Sequence, residues 1–292
     1  MLIDFLFVLV GGLKFGAIYA LGAIGLVVIH KATKTVNFAH GALIMLGAYV
    51  TFFLLELFKL PYWAVYVLAP TLVGAVSAFL EFAILRPIRR ADMFIVIIAT
   101  VFLAIALQEA VRLPYDVEML AVAAVLEGDP LFLGDLIITQ ESMWIIAGAF
   151  LFAILGALLF AQAGLGRSMR AMAQNIRGAQ LCGYSVDGVY VFAWFVGGGL
   201  AGLAGVFSAP SLGVSPELMV ATIVPAFVAA VIGGFDSLRG AILGGLILGI
   251  LENVAAAYIS AGLKSAISFL ILFAVLMIRP EGLFPEGRVR KV

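Results

Sequence analysis

The sequence predicts an all-α, polytopic membrane protein with about eight to nine transmembrane helices and a short cytoplasmic helix between two of them. Of its 292 residues, 64% are hydrophobic and 12% are charged, and the mean hydropathy is +1.20. A soluble domain has about 45–50% apolar and about 25% charged residues, so lipid must surround most of this surface. Apolar runs of spanning length recur without the alternation of barrel strands, which leaves helices as the spanning elements.

Nine apolar runs are the predicted spans, at 5–29, 36–58, 62–85, 93–111, 143–162, 190–208, 219–234, 241–260 and 265–278. Most reach the ~17–25 residues that a helix needs to cross the hydrocarbon. The run 219–234 is short and contains Pro225, so a broken crossing is the alternative to a complete one. We therefore expect a single membrane domain over 1–292, with an outer loop at 112–142 and a cytoplasmic segment at 163–189.

Basic residues predict the orientation of these spans. If the N-terminus is outside and all nine runs cross, thirteen Lys and Arg residues fall on the inner side and three on the outer side, with Lys14 left in a span. The inner ones are Lys31, Lys34, Arg86, Arg89, Arg90, Arg167, Arg170, Arg177, Arg239, Arg279, Arg288, Arg290 and Lys291; the outer ones are Lys59, Arg112 and Lys264. Cytoplasmic loops carry the excess of Lys and Arg. The N-terminus is thus predicted outside and the C-terminus in the cytoplasm.

The segment 163–189 has the pattern of an amphipathic helix over about 168–181. Its apolar positions at helical spacing are Leu165, Met169, Met172 and Ile176, and its polar positions are Arg167, Arg170, Gln174 and Arg177. Gly183 is the expected stop. Two interpretations stay open. The helix either rests on lipid headgroups or docks into a groove on a cytoplasmic partner.

Five segments resemble the branched-chain amino acid ABC transporter permease family of the LivH type. They are 16–21 (GAIYAL), 37–43 (NFAHGAL) with 47–49 (GAY), 164–175 (GLGRSMRAMAQN), 233–241 (GGFDSLRGA) and 279–284 (RPEGLF). They occur in the family's order over nearly the whole chain. One departure is Asp236, which stands where the family usually has Gly.

The resemblance implies a permease subunit of an ABC importer in the bacterial inner membrane, with a periplasmic N-terminus. Its substrates would be branched-chain amino acids or related small solutes. Its partners would be a second related permease, two cytoplasmic ATPase subunits, a periplasmic solute-binding protein and membrane lipid. ATP and Mg would bind the ATPases, because this chain has no G-x-x-x-x-G-K-[ST] loop and is expected to have no cofactor or enzymatic site of its own. The zero net charge indicates no nucleic-acid partner.

The resemblance also makes 164–175 and the positions that follow it the coupling segment. The residues expected to contact an ATPase are Arg170, Gln174, Asn175 and Arg177. Under the docking interpretation, Arg170, Gln174 and Arg177 form one contact row on the helix.

The candidates for the transport pathway are Asn37, His40, Glu252 and Asn253. Asn37 can be an N-cap residue, with His40 bound to a neighbouring carbonyl, or both can mark a helix break near the cytoplasmic end of the pathway. Glu252 and Asn253 lie within a span, where an ionisable residue indicates a pathway or an interior contact.

The other ionisable residues within spans are Lys14, Glu81 and Glu109. Glu81 is expected to reach Arg86 and Glu109 to reach Arg112, both near membrane surfaces. Lys14 can extend its amine outward along the span.

Glycines four residues apart predict close helix packing, at 12/16, 198/202, 240/244 and 245/249. The sequence leaves two other functions as alternatives. In a proton-coupled secondary transporter, Glu252 or His40 would relay protons. A membrane-embedded enzyme has less support, because the chain has no G-x-S-x-G or H-E-x-x-H motif and only two His and one Cys.

Overall fold

A computed structural model describes residues 2–115, 119–125, 129–134, 136–162 and 164–284. The all-α prediction is confirmed. The helices are α1 (Leu2–Thr33), α2 (His40–Phe52), α3 (Tyr62–Leu80), α4 (Arg86–Ile88), α5 (Met93–Tyr115), α6 (Gln140–Gln162), α7 (Gly164–Gln174), α8 (Ile176–Leu181), α9 (Val186–Leu212), α10 (Leu218–Gly233), α11 (Leu238–Tyr258) and α12 (Lys264–Ile278). Two π-helical segments, Phe53–Leu57 and Glu81–Leu85, extend α2 and α3, and a 3-10 turn, Ala261–Leu263, precedes α12. Strands β1 (Leu131–Leu133) and β2 (Leu136–Ile138) form an antiparallel hairpin between α5 and α6.

Eight helical stretches among the described residues are long and apolar enough to cross a membrane. The shorter α10 makes a further pass. Just before its first turn, Glu217 binds Arg112 (3.0 Å), and just after its last turn, Asp236 binds Lys34 (3.0 Å) at the opposite end of the bundle. Pro225 lies inside this continuous helix. The complete crossing is therefore the alternative that the structure supports, and the described part of the chain makes nine passes.

The two ends of the bundle differ in charge. The end that we call the basic face carries Lys31, Lys34, Arg86, Arg89, Arg90, Arg167, Arg177, Arg239 and Arg279; the opposite face carries Lys59, Arg112 and Lys264. Because the number of described passes is odd, α1 begins at the opposite face and α12 ends at the basic face. Arg288, Arg290 and Lys291 lie outside the described residues.

Helix α1 stands at the centre of the bundle. In its spanning window 83% of the residues are buried, against α6, α9, α10 and α11. Its contact with α11 is built from two of the predicted glycine pairs: a Cβ on Gly12 would lie 2.7 Å from the Cα of Ile250, and one on Gly245 would lie 2.6 Å from the backbone nitrogen of Ala20. The packing prediction for these glycines is confirmed.

Helices α5, α6 and α12 lie at the outside of the bundle. Only 17%, 22% and 6% of the residues in their spanning windows are buried. Ser268 is the buried residue of α12, and Phe269, Phe273 and Met277 are exposed. These helices therefore present apolar surface to their surroundings, as expected in lipid.

Candidate transport pathway and coupling segment

Asn37 precedes α2 and turns the chain into it. Its Oδ1 accepts a hydrogen bond from the Ala39 backbone N–H (3.0 Å), and its carbonyl accepts one from the His40 N–H (3.3 Å). The second span therefore starts at His40 rather than at 36, and Ala39 occupies the N-cap position. The prediction of Asn37 as the N-cap residue is wrong by two positions, because its side chain closes the turn ahead of the helix.

His40 is fully buried between α1, α2 and α9. Its Nε2 lies 2.9 Å from the carbonyl oxygen of Gly22 and donates to it, which is the kind of partner expected from the sequence. Glycines make room for the ring, since a Cβ on Gly25 would lie 2.6 Å from His40 Cε1 and 2.8 Å from the carbonyl oxygen of Gly197. The ring thus joins α2 to α1. A role of Asn37 or His40 in transport stays a prediction.

Glu252 is buried and makes its contacts with α1 and α12. It accepts hydrogen bonds from the Tyr19 hydroxyl (2.9 Å) and the Ser268 hydroxyl, and the Lys264 Nζ lies 3.8 Å away. The next residue, Asn253, donates to the carbonyl of Val8 (2.6 Å). Both side chains are interior contacts that hold three helices together. Whether either also takes part in transport stays a prediction.

The Lys14 amine extends toward the opposite face, where it meets the first turn of α6. Its Nζ binds Glu141 Oε1 (2.8 Å), and the Ser211 hydroxyl in the last turn of α9 donates to the same oxygen (2.7 Å). The expected outward extension therefore ends in an ion pair, because α6 places a carboxylate beside α1. The pair Glu109–Arg112 is confirmed at 2.9 Å.

The predicted pair Glu81–Arg86 is wrong. Glu81 accepts two hydrogen bonds from Arg89, one from Nε at 2.9 Å, while Arg86 binds Asp187 at the start of α9. Arg89 also donates to Asp187 (2.6 Å) and stacks 4.6 Å above the ring of Tyr190. The cause is the π-helical turn Glu81–Leu85, after which the chain continues into α4 and brings Arg89 back over Glu81. Asp187 and Tyr190 could not be found from sequence, since both come from a helix distant along the chain.

The coupling segment forms two helices, so the prediction of one helix over 168–181 is wrong. Helix α7 ends at Gln174, and Asn175 has an extended backbone (φ −157°, ψ 108°). The Asn175 side chain accepts from the Gly178 N–H (3.0 Å) and so begins α8. Asn competes with the helix for backbone hydrogen bonds, which is why it starts helices better than it continues them. Gly183, with φ +85°, ends α8 as expected.

The break at Asn175 divides the predicted faces. Met169 and Met172 on α7 are buried, whereas Ile176 and Leu181 on α8 are 47% and 90% exposed. Arg177 is exposed on α8. The side chains of Arg170 and Gln174 lie outside the described part of the structure. Arg170 and Gln174 therefore lie on α7 and Arg177 on α8, so the three do not form one row on a continuous helix.

A cavity of about 730 Å³ opens at the basic face beside α8. Its wall includes Ile176 and Gln180 of α8 and the charged groups Glu81, Arg86, Arg89, Arg90 and Asp187. Sequence reasoning missed this cluster. The one available signal was the spacing of three arginines directly after the third span.

Asp236, the departure from the family pattern, ties the loop between α10 and α11 to the end of α1. Its carboxylate binds Lys34 (3.0 Å), and its carbonyl accepts from Lys31 (2.8 Å). Partial burial alone would raise the pKa of Asp236, but the hydrogen bond from Lys34 and the charges of Lys34, His30 and Lys31 hold it below its usual range.

The nine passes and the two faces of unequal charge are those of a multi-pass α-helical membrane protein. The chain belongs to the family described as branched-chain amino acid transport system / permease component, whose model matches residues 8–276.

Curated relatives cover almost the whole chain. It is 32% identical to the high-affinity branched-chain amino acid transport system permease protein LivH of Escherichia coli K12, over 96% of each chain. It is 31% identical to the corresponding BraD protein of Pseudomonas aeruginosa, over 97% of each. It is 27% identical to a probable branched-chain amino acid transport permease protein LivH of Methanocaldococcus jannaschii, over 94% of this chain and 91% of the relative. No solved structure matches.

Proposed function

We propose that this chain is the permease subunit of an ABC importer that moves branched-chain amino acids or related small solutes across the inner membrane. The observation that carries the proposal is the match to permease relatives of that name over 96% of the chain. ATP is hydrolysed by partner subunits rather than by this chain, which contributes no enzymatic site. The solute path lies within the membrane domain or between two such domains.

The basic face is cytoplasmic and the opposite face is periplasmic. The asymmetry of Lys and Arg supports this orientation, because cytoplasmic loops carry their excess. Two ATPase subunits bind at the basic face, a solute-binding protein binds at the opposite face, and a second related permease completes the membrane domain. The N-terminus is periplasmic and the C-terminus is cytoplasmic.

Helices α7 and α8 form the contact with an ATPase. The buried Met169 and Met172 fix α7 to the membrane domain, while the exposed Ile176, Arg177 and Leu181 of α8 are available to a partner. Exposed apolar side chains beside a guanidinium are the kind of surface that a partner groove binds. The cap at Asn175 sets the direction of α8 relative to α7.

Charge reversal tests this contact. The variant Arg177→Glu is expected to insert normally but to lose its ATPase subunits on purification, or to keep them with uptake uncoupled from hydrolysis. Arg239→Glu, an exposed arginine of the same face at the start of α11, is the matched control and is expected to retain both. The measurements are co-purification of the ATPases and ATP-dependent uptake of labelled leucine into membrane vesicles.

Three outcomes would contradict these proposals. Full assembly and coupled uptake in Arg177→Glu would leave α7 and α8 as an interfacial structure on lipid. Uptake that continues with every partner ATPase inactivated would indicate a proton-coupled transporter. ATP hydrolysis by the purified chain alone would contradict the assignment of hydrolysis to partners.

A further inference from the structure

A second feature of the basic face is an open apolar groove between α3 and α9, with a volume of about 590 Å³. Its main wall residues are Ala78, Phe82, Val191, Phe192 and Phe195, and Arg86 and Asp187 lie at one end. Ala78 and Arg86 are eight residues apart, which is about 12 Å along a helix. The groove therefore runs from charged groups at the basic face into the membrane-spanning part of the bundle.

The walls of the groove are exposed to the surroundings of the bundle. Phe82 is 53% exposed and Phe192 is 41% exposed, and both belong to spanning helices. Arg86 stacks 5.2 Å above the Phe82 ring, so the guanidinium is held where the apolar wall ends. An apolar channel that ends in a guanidinium matches a molecule with an acyl chain and an anionic head.

The charged residues that line the neighbouring cavity do not balance one another. Arg86, Arg89 and Arg90 face two carboxylates, Glu81 and Asp187, across the neighbouring cavity, which leaves one positive charge. Asp187 is bound by both Arg86 and Arg89, and Glu81 by Arg89. Arg90 is exposed and has no ion pair among the described residues. One phosphodiester would neutralise the cluster.

We propose that the groove binds an anionic phospholipid of the leaflet at the basic face. The phosphate lies between Arg86 and Arg90, and an acyl chain lies along Phe82, Val191 and Phe192. Guanidinium groups bind phosphate with directed hydrogen bonds, and basic pockets between transmembrane helices bind anionic headgroups. A soluble phosphate would leave the apolar walls uncovered, so the groove selects the lipid.

The bound headgroup also lies beside the coupling segment. The cavity that contains Arg86 and Arg90 is walled on its other side by Ile176 and Gln180 of α8. A lipid there bridges the start of α9, the end of α3 and the helix that we assign to ATPase contact. This placement rests on the structure alone, and only its consequence for coupling rests on the proposed function.

The experiment uses the assembled transporter, purified in detergent and titrated with phosphatidylglycerol or with phosphatidylcholine of the same acyl chains. Native mass spectrometry measures retained lipid, and thermal unfolding measures stabilisation. The wild type is expected to retain phosphatidylglycerol in preference. Arg90→Ala removes a charge-assisted contact and is expected to weaken retention about tenfold. Val191→Trp fills the groove and is expected to abolish retention, while Arg239→Ala, the matched arginine outside it, is expected to behave as the wild type.

Several results would overturn the proposal. Equal retention of the two lipids by the wild type would show that the site does not select an anionic head. If Arg239→Ala lost as much phosphatidylglycerol retention as Arg90→Ala, the overall charge of the basic face would account for the effect. Wild-type retention by Val191→Trp would place the lipid elsewhere. Efficient cross-linking of Val191→Cys to another permease subunit, in a Cys182→Ser background, would show that protein fills the groove. None of these readouts depends on transport.

Discussion

Two buried carboxylates of this protein bind side chains that join neighbouring helices. Glu252 binds α1 and α12, and Glu81 binds Arg89, which in turn reaches α9. In hydrocarbon an unpaired polar group is costly, so each such contact also fixes the position of a helix. Glu109 differs from these two, because it is half exposed and pairs with Arg112 near the opposite face.

Glu252→Ala is therefore expected to destabilise the assembled transporter more than Glu109→Ala. The first change leaves the Tyr19 hydroxyl without its acceptor, at a cost of about 1–3 kcal/mol, and leaves the Ser268 hydroxyl only the Lys264 carbonyl of its own helix at 3.2 Å. The second removes an exposed pair worth about 0–1 kcal/mol. Thermal unfolding in detergent and uptake at equal expression measure both effects. Equal stability of the two variants would show that Glu252 does not anchor α12. Glu81→Ala is expected to resemble Glu252→Ala, since Glu81 is equally buried.

At the scale of elements, helices meet through glycine. The α1–α11 contact places backbone against backbone at Gly12 and Gly245. Backbone cannot move aside as a flexible side chain can, so an added methyl group must separate the helices.

Gly245→Ala is expected to cost about 1–3 kcal/mol of stability, because its Cβ would lie 2.6 Å from the backbone nitrogen of Ala20. Gly262→Ala is the control, since the nearest atom to its Cβ would be the Ser260 hydroxyl at 3.8 Å. The expected result is reduced yield and a lower unfolding temperature for the first variant only. A wild-type unfolding temperature for Gly245→Ala would mean that α1 and α11 separate without penalty.

These elements show what could be predicted from the sequence. The spans and the glycine pairs of the α1–α11 contact follow from local composition and spacing, and both are found in the structure. The partner of Glu81 and the partner of Lys14 depend on tertiary contacts, and neither was predicted. The interruption at Asn175 was readable in principle, because Asn is a strong helix start, but the apolar spacing on either side of it outweighed that signal.

At the scale of the whole molecule, the native Cys182 gives a direct test of orientation. It is the single cysteine of the chain and is exposed beyond the end of α8, on the basic face. An impermeant maleimide is expected to label it only after the membrane is opened. In a Cys182→Ser background, Asp129→Cys in the outer loop is expected to react in intact cells. The reverse labelling pattern would place the basic face in the periplasm and would contradict the proposal that the ATPases bind there.

The central position of α1 also determines when the protein can be completed during synthesis. Tyr19 and its partner Glu252 are 233 residues apart, so at about 5–20 residues per second the ribosome needs roughly 10–50 s to supply the second after the first. For most of that interval α1 has been inserted but lacks α9, α10 and α11, three of the four helices that enclose it. A chain that stops before α11 keeps most of its spans but lacks the helix that packs most extensively against α1. In such a chain the glycine surface of α1 that packs against α11 stays uncovered. Premature termination late in the gene is therefore expected to be as damaging as early termination.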